Sequence, residues 1–132
     1  MLRRRMTRPL PLRAEHPPDD ATIIVRAGVM SADSLRRAAQ RSFDLYAVLG
    51  ISVEAVIGTT VQDACRSDRV IAYRRVRLST FGRVRAEGFA LLATFDHPHF
   101  TLVLPDLSQL TLARLDRSFD GPIPNPARPT DR

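Results

Sequence analysis

Apolar positions along the chain switch between a period of two and a period near 3.6, and the switches predict the elements. "TIIVRAG" at 22–28 is a β-branched run closed by glycine, which predicts a buried strand. "SADSLRRAAQRSFDLYA" follows at 31–47 with helical spacing. Leu35, Ala39, Phe43 and Tyr46 share one side, and Arg36, Arg37, Gln40, Arg41 and Asp44 lie mostly on the other. Ser31 is placed to cap this helix, with Asp33 in its first turn, where the helix dipole favours an acid. "LGISVEAVIG" at 49–58 alternates as a strand: Ile51, Val53, Ala55 and Ile57 on one face, Ser52, Glu54 and Val56 on the other.

"TTVQDACRS" predicts a short helix capped by Thr59 or Thr60. "RRVRLS" at 74–79 alternates Arg75 and Arg77 with Val76 and Leu78, a strand with one basic and one buried face. "STFGRVRAEG" predicts a short helix capped by Ser79 and stopped by Gly88. "FALLATF" at 89–95 and "FTLVL" at 100–104 flank "DHPH", a plausible hairpin connection. "DLSQLTLARLDRSF" is the last helix, starting at Asp106 in a capping-box spacing with Gln109, or at Thr111.

The order is then β-α-β-α-β-α-β-β-α. It predicts an α+β domain: a single mixed sheet of four to five strands with helices packed mainly on one face. Prolines mark its limits, with four of the ten in residues 9–18 and four in 122–129. Proline lacks an N–H donor and fixes φ, so both ends resist helix and sheet. Residues 1–20 are expected to be a flexible basic tail, 21–120 the globular domain, and 121–132 a Pro-rich tail.

Composition adds three constraints. No run approaches the ~18 apolar residues that cross a bilayer, so no membrane association is expected. The basic amino-terminal stretch has no apolar segment behind it, unlike a secretory signal. The single cysteine, Cys65, cannot form an internal disulfide, and a cytoplasmic location is the expectation. No cofactor motif is present.

The net charge is +6, and every basic residue is arginine. Codon usage in a GC-rich genome explains that bias, but it does not explain clustering. Residues 66–85 hold seven arginines and one aspartate, so this stretch carries the whole net charge. Arg69, Arg74, Arg75, Arg77, Arg83 and Arg85, with Tyr73 at the edge to stack on a base, are the candidate nucleic-acid-binding residues. The alternative is a solvated face with internal pairs to Asp63, Asp68 and Glu87.

The candidate chemistry lies in Glu54, His99 and Thr101. A carboxylate in mid-strand is either paired with arginine or functional. Small RNA-cleaving toxins often gather a Glu, an Arg and a His on one sheet. Glu54, Arg75, Arg77 and His99 would converge in that way if their strands are neighbours, giving a general base beside a guanidinium clamp. "HFT" at 99–101 resembles one half of the two-histidine phosphoesterase signature, H-x-T. That resemblance implies proton transfer by His99 and a phosphate contact from Thr101. The family carries two such motifs and this chain has one. "TIIVRAG" resembles the first strand of ADP-ribosyltransferase-like domains, but Ala27 interrupts the Arg-Gly pair there. His97, His99 and Asp96 lack a further ligand for a metal site.

The leading expectation is a small cytoplasmic protein that binds an RNA or DNA phosphate backbone through the 66–85 surface. If it is an enzyme, the reaction would be phosphodiester cleavage, as in a toxin- or defence-type factor. The alternative is a non-enzymatic binding partner of an acidic protein, such as an antitoxin, immunity or assembly component. Homo-oligomerisation through the apolar 89–104 hairpin is a third possibility.

Overall fold

The computed structural model describes residues 7–129. One six-stranded antiparallel sheet organises the chain. Its strands are β1 (Thr22–Arg26), β2 (Gly50–Val56), β3 (Arg75–Thr80), β4 (Ala90–Ala93), β5 (His99–Val103) and β6 (Asp120–Pro124). The helices are α1 (Ala32–Tyr46), α2 (Val61–Ala64), α3 (Phe81–Ala86) and α4 (Gln109–Arg117), with a 3-10 turn at Ala27–Met30. The sheet order is β4-β5-β2-β1-β3-β6.

The α+β class and the alternation of elements match the expectation, while the strand count and directions differ. The sheet is wholly antiparallel rather than mixed, and a sixth strand follows the last helix. That strand, β6, reads "DGPIP" and falls mostly within the stretch expected to be a tail. Asp120 lies opposite Leu78, Ile123 opposite Val76 and Pro124 opposite Arg75. Asn125, buried just beyond, donates to the carbonyls of Val70 and Tyr73.

Much of the expected amino-terminal tail also lies against the domain. The Arg8 N–H donates to the Leu45 carbonyl at 2.7 Å, and Leu12 bridges to Thr94. Arg13 reaches the carbonyls of Thr94 and Phe95. Proline's missing donor rules out a regular strand here, but single bonds from the intervening residues suffice to fix an extended segment. Residues 1–6 and 130–132 of the two expected tails lie outside the described residues.

Strand alternation divides the sheet into two unlike faces. Ile23 and Val25 of β1, Ile51, Val53 and Ala55 of β2, and Phe100 and Leu102 of β5 form the larger core. Leu35 and Ala39 of α1, Phe81 and Val84 of α3, and Leu112 and Leu115 of α4 close it. The opposite face has a smaller apolar cluster, where Ile24 and Val76 meet Cys65 and Val70 from the segment after α2. Glu54, His99 and Thr101 share that second face and are also buried.

Local capping follows the sequence with small shifts. Ser31 caps α1 by accepting from the Ser34 N–H, and Thr60 caps α2 through the Asp63 N–H. The cap of α3 is Thr80 rather than Ser79, because β3 runs one residue further. Ser108 caps α4 by accepting from the Thr111 N–H. Asp106 supports that turn, accepting from the Thr111 hydroxyl at 2.6 Å and the Ser108 N–H at 2.9 Å. Those bonds, Thr111's foremost, hold the Asp106 carboxyl down to about 2.

Arg77 departs from the expected basic strand face. It pairs across the ladder with Val25 and projects into the larger core, where it is buried. Its guanidinium donates to the Asp116 carboxylate at 2.6 Å and to the carbonyls of Asp116 and Phe119 at 2.9 and 2.7 Å. A planar fork thereby ties together a carboxylate and two carbonyls at and just beyond the carboxyl-terminal end of α4. Replacing Arg77 with Met is expected to cost about 2–3 kcal/mol in chemical denaturation, since charged hydrogen bonds to buried carbonyls are lost. Arg75→Met, at the exposed start of β3, is expected to stay within about 0.5 kcal/mol.

Candidate functional site

The second sheet face brings together residues from three strands, α1 and two loops. Glu54 of β2 lies directly opposite His99 of β5 in the antiparallel register, and Ser52 lies opposite Thr101. Facing residues in such a ladder have Cβ atoms about 5 Å apart, so Glu54 and His99 are neighbouring positions on this face. On its other side Glu54 faces Ile24 of β1, and Arg26 lies further along that strand on the same face. The loop after α2 folds over and places Arg69 Nε 3.8 Å from Glu54 Oε1.

His99 is held by a chain of hydroxyls. Its Nδ1 lies 2.8 Å from the Thr94 hydroxyl, which lies 2.8 Å from the Thr101 hydroxyl. All three residues are buried. Thr94 follows β4 directly, and its N–H donates to the His99 carbonyl across the hairpin. When Nδ1–H donates to Thr94, the Nε2 lone pair remains for chemistry.

The environment shifts both titrating groups. Burial raises the Glu54 pKa above its ordinary value, and the nearby Arg69, Arg13 and Arg26 charges only partly offset it. Burial also lowers His99 to about 4, and the Arg69 charge adds to the effect. Near neutrality His99 is therefore an uncharged base. Glu54 holds a proton to higher pH than a free carboxyl.

Two adjoining cavities open over these residues. The first, about 260 Å³, is lined by Ile24, Arg26, Ser52, Glu54, Arg69 and Tyr73. The second, about 230 Å³, includes Arg26, Arg41, Tyr46, Ser52, Phe95 and His99. Arg26 and Ser52 belong to both. Gly50 forms part of the floor. A Cβ there would stand 2.4 Å from the Thr101 methyl and 2.9 Å from the Ser42 hydroxyl, so only glycine lets α1 and β5 close on β2.

No family model, curated protein or solved structure matches this chain. The site is therefore read from its own geometry.

The candidate catalytic residues Glu54, His99 and Thr101 share one face, with Thr101 bound to Thr94. The candidate nucleic-acid residues do not form one surface. Arg69 and Tyr73 line the first cavity beside Glu54. Arg74 and Arg75 are exposed near the β6 edge. Arg77 is buried against α4, Arg83 pairs with Asp120 at 2.8 Å, and Arg85 pairs with Asp19 at 2.8 Å while lying over the Phe81 ring. The proposed convergence of Arg75 and Arg77 with Glu54 fails on strand parity, because odd positions of β3 face away from Glu54.

Arg26, Arg41, Tyr46, Thr94 and Phe95 were not singled out from the sequence as site residues. Thr94 has a signal: once "DHPH" is a hairpin connection, Thr94 falls opposite His99. Arg26 has one too, sharing parity with Ile24. The placement of Arg41, Tyr46 and Phe95 depends on tertiary packing.

Among the described residues, no group of three or more His, Cys, Asp and Glu is placed to hold a metal ion. At the hairpin tip, His97 Nδ1 lies 2.7 Å from Glu15 Oε1, and Arg13 Nε lies 2.7 Å from Glu15 Oε2. His97 is thus tied to the amino-terminal segment, apart from the Glu54–His99 pair.

Folding lowers the His99 pKa, so between pH 6.5 and about 4 the unfolded chain binds the extra proton. Stability is expected to fall as pH drops through that window, by roughly 3 kcal/mol in all from this group. Glu54 has the opposite slope: its raised pKa favours the folded state below its ordinary pKa, and that gain is lost as pH rises through the folded value. NMR titration of the His99 ring should give a midpoint near 4. A midpoint near the ordinary histidine value would refute the burial argument.

Proposed function

We propose that the protein is a small RNA-acting factor that cleaves phosphodiester bonds in the cleft over Glu54 and His99. The observation that carries this reading is the direct pairing of Glu54 with His99 on one sheet face, flanked by Arg26 and Arg69. Two desolvated proton-transfer groups beside guanidinium donors are what phosphodiester cleavage requires.

The proton distribution assigns the roles. His99, uncharged above pH of about 4, accepts the 2′-hydroxyl proton at Nε2. The O2′ then attacks phosphorus, and the bond to the 5′-oxygen breaks. Glu54, protonated to higher pH than usual, gives that leaving oxygen its proton. The products are a 2′,3′-cyclic phosphate and a 5′-hydroxyl. Arg69 and Arg26 stabilise charge gathering on the phosphoryl oxygens, in a partly enclosed site where such contacts are stronger than in water. Thr94 and Thr101 orient the imidazole rather than touch phosphate. This relocates the backbone-binding surface from the whole 66–85 stretch to the part of it, Arg69 and Tyr73, that lines the cleft.

A second reading keeps a specific observation in its favour. Arg37, Arg41 and the exposed Leu45 line a shallow depression on α1 together with Asp44. A mixed apolar and basic surface of that kind suits an acidic protein partner, as for an antitoxin, immunity or assembly component.

Cleavage of generic single-stranded RNA separates the two. Glu54→Gln and His99→Gln are each expected to lower kcat/KM by about 10²- to 10⁴-fold while preserving the fold. The wild-type pH profile should rise with a limb near 4 and fall as Glu54 ionises, giving an acid optimum. Cleavage that survives both substitutions would end the enzymatic reading.

A further inference from the structure

The cavities of about 260 and 230 Å³ are each below the ~300 Å³ at which small-molecule sites typically begin. Joined across the shared Arg26 and Ser52, they enter that range, so a ligand that used this face well would span both.

The two ends of the joined groove resemble each other chemically. At one end Tyr73, 37% exposed, has the Arg26 guanidinium over its ring at 4.8 Å, with Arg69 beside it. The Tyr73 hydroxyl also accepts from Arg26 at 2.7 Å. At the other end Phe95 and Tyr46 meet edge-on, with ring centroids 5.7 Å apart, and Arg41 lies alongside. The chain has only two tyrosines, and both line this groove.

Phe95 provides an independent sign of function. Its φ is +55°, in the left-handed region where glycine or asparagine is the ordinary occupant. A bulky residue there costs of order 1–3 kcal/mol, and such strain concentrates at ligand sites. Its ring stands edge-on to His99 at 5.2 Å, between that imidazole and Tyr46. Between the aromatic ends Ser52 lines both cavities, with Glu54 on the Tyr73 side and His99 on the Phe95 side.

We infer that this groove is a two-nucleotide site for single-stranded RNA. One base stacks at Tyr73, the next at Phe95 and Tyr46, and the phosphodiester between them crosses Ser52 beside Glu54 and His99. The inference rests on reading the site as RNA-acting, and it names the part of the substrate that the site holds. A base in a duplex has both its faces covered by stacking and leaves none free for these rings. A single nucleotide fills one end only.

The test is binding of a 2′-O-methylated dinucleoside monophosphate, which lacks the attacking hydroxyl and stays intact. The corresponding mononucleotide and a short RNA duplex are measured beside it. Each stacked base is worth about 5- to 150-fold in affinity, so the dinucleotide should bind tighter than the mononucleotide and the duplex by about that factor. Tyr73→Leu and Phe95→Leu should each remove a similar factor. Tyr46→Leu reads the same end should Phe95→Leu fail to fold. Equal affinity for mononucleotide and dinucleotide, absent dinucleotide binding, or folded variants that bind like wild type would overturn the inference. Cleavage of RNA is assayed in parallel. Selective dinucleotide binding without cleavage would remove the chemistry and keep the site, whereas cleavage with unselective binding would do the reverse.

Discussion

The register of β2 against β5 is the constraint on which the rest of the second sheet face depends. Strand side chains alternate, so a slip of one residue would turn Glu54 and His99 toward opposite sides. Gly50 opposes such a slip. Its bare Cα lets the Thr101 methyl and the Ser42 hydroxyl pack where a Cβ would otherwise stand. The same register buries Ile51, Val53 and Ala55 under the helices on the far side. Apolar burial on one face and polar placement on the other are therefore a single decision, and each stabilises the other.

Arginine has two occupations in this molecule, and the distinction is geometric. One group closes helix ends and carries stability. Arg77 and Arg83 donate to carbonyls at the end of α4, and Arg114 donates to the Glu87 carbonyl just after α3. The planar fork suits this work, because one side chain can reach a carboxylate and a carbonyl together. The other group, Arg26, Arg41 and Arg69, lines the cavities on the second face. A count of charge along the chain mixes the groups. Projection from the sheet separates them.

The sequence was legible where local rules decide. The alternation in 49–58 placed Glu54 and Ser52 opposite Ile51 and Val53, and capping residues located three of the four helices to within a residue or so. The pairing of Glu54 with His99 needed β2 beside β5, which is a long-range matter, but the shared face followed from parity once that order is known. β6 was hidden because two prolines and a glycine in five residues carry no strand pattern; pairing with β3 and the Asn125 bonds hold it instead. Arg77 was misplaced because alternation treats arginine as outward. Its acceptors come from residues 116 and 119, far along the chain, and no local pattern announces them.

Both rims of the sheet are guarded, by different means. Along β6, Pro122 and Pro124 have no N–H to offer an approaching strand. Along β4, the Arg13 N–H already occupies the Ala93 carbonyl, and Leu12 bridges to Thr94. What remains open on that side is a short run at Ala90–Leu92. A chain with so apolar a pair of central strands would otherwise be a template for its own neighbours during synthesis. The carboxyl-terminal prolines and the docked Leu12–Arg13 segment, both in stretches that look unstructured, thus double as a safeguard against fibre growth.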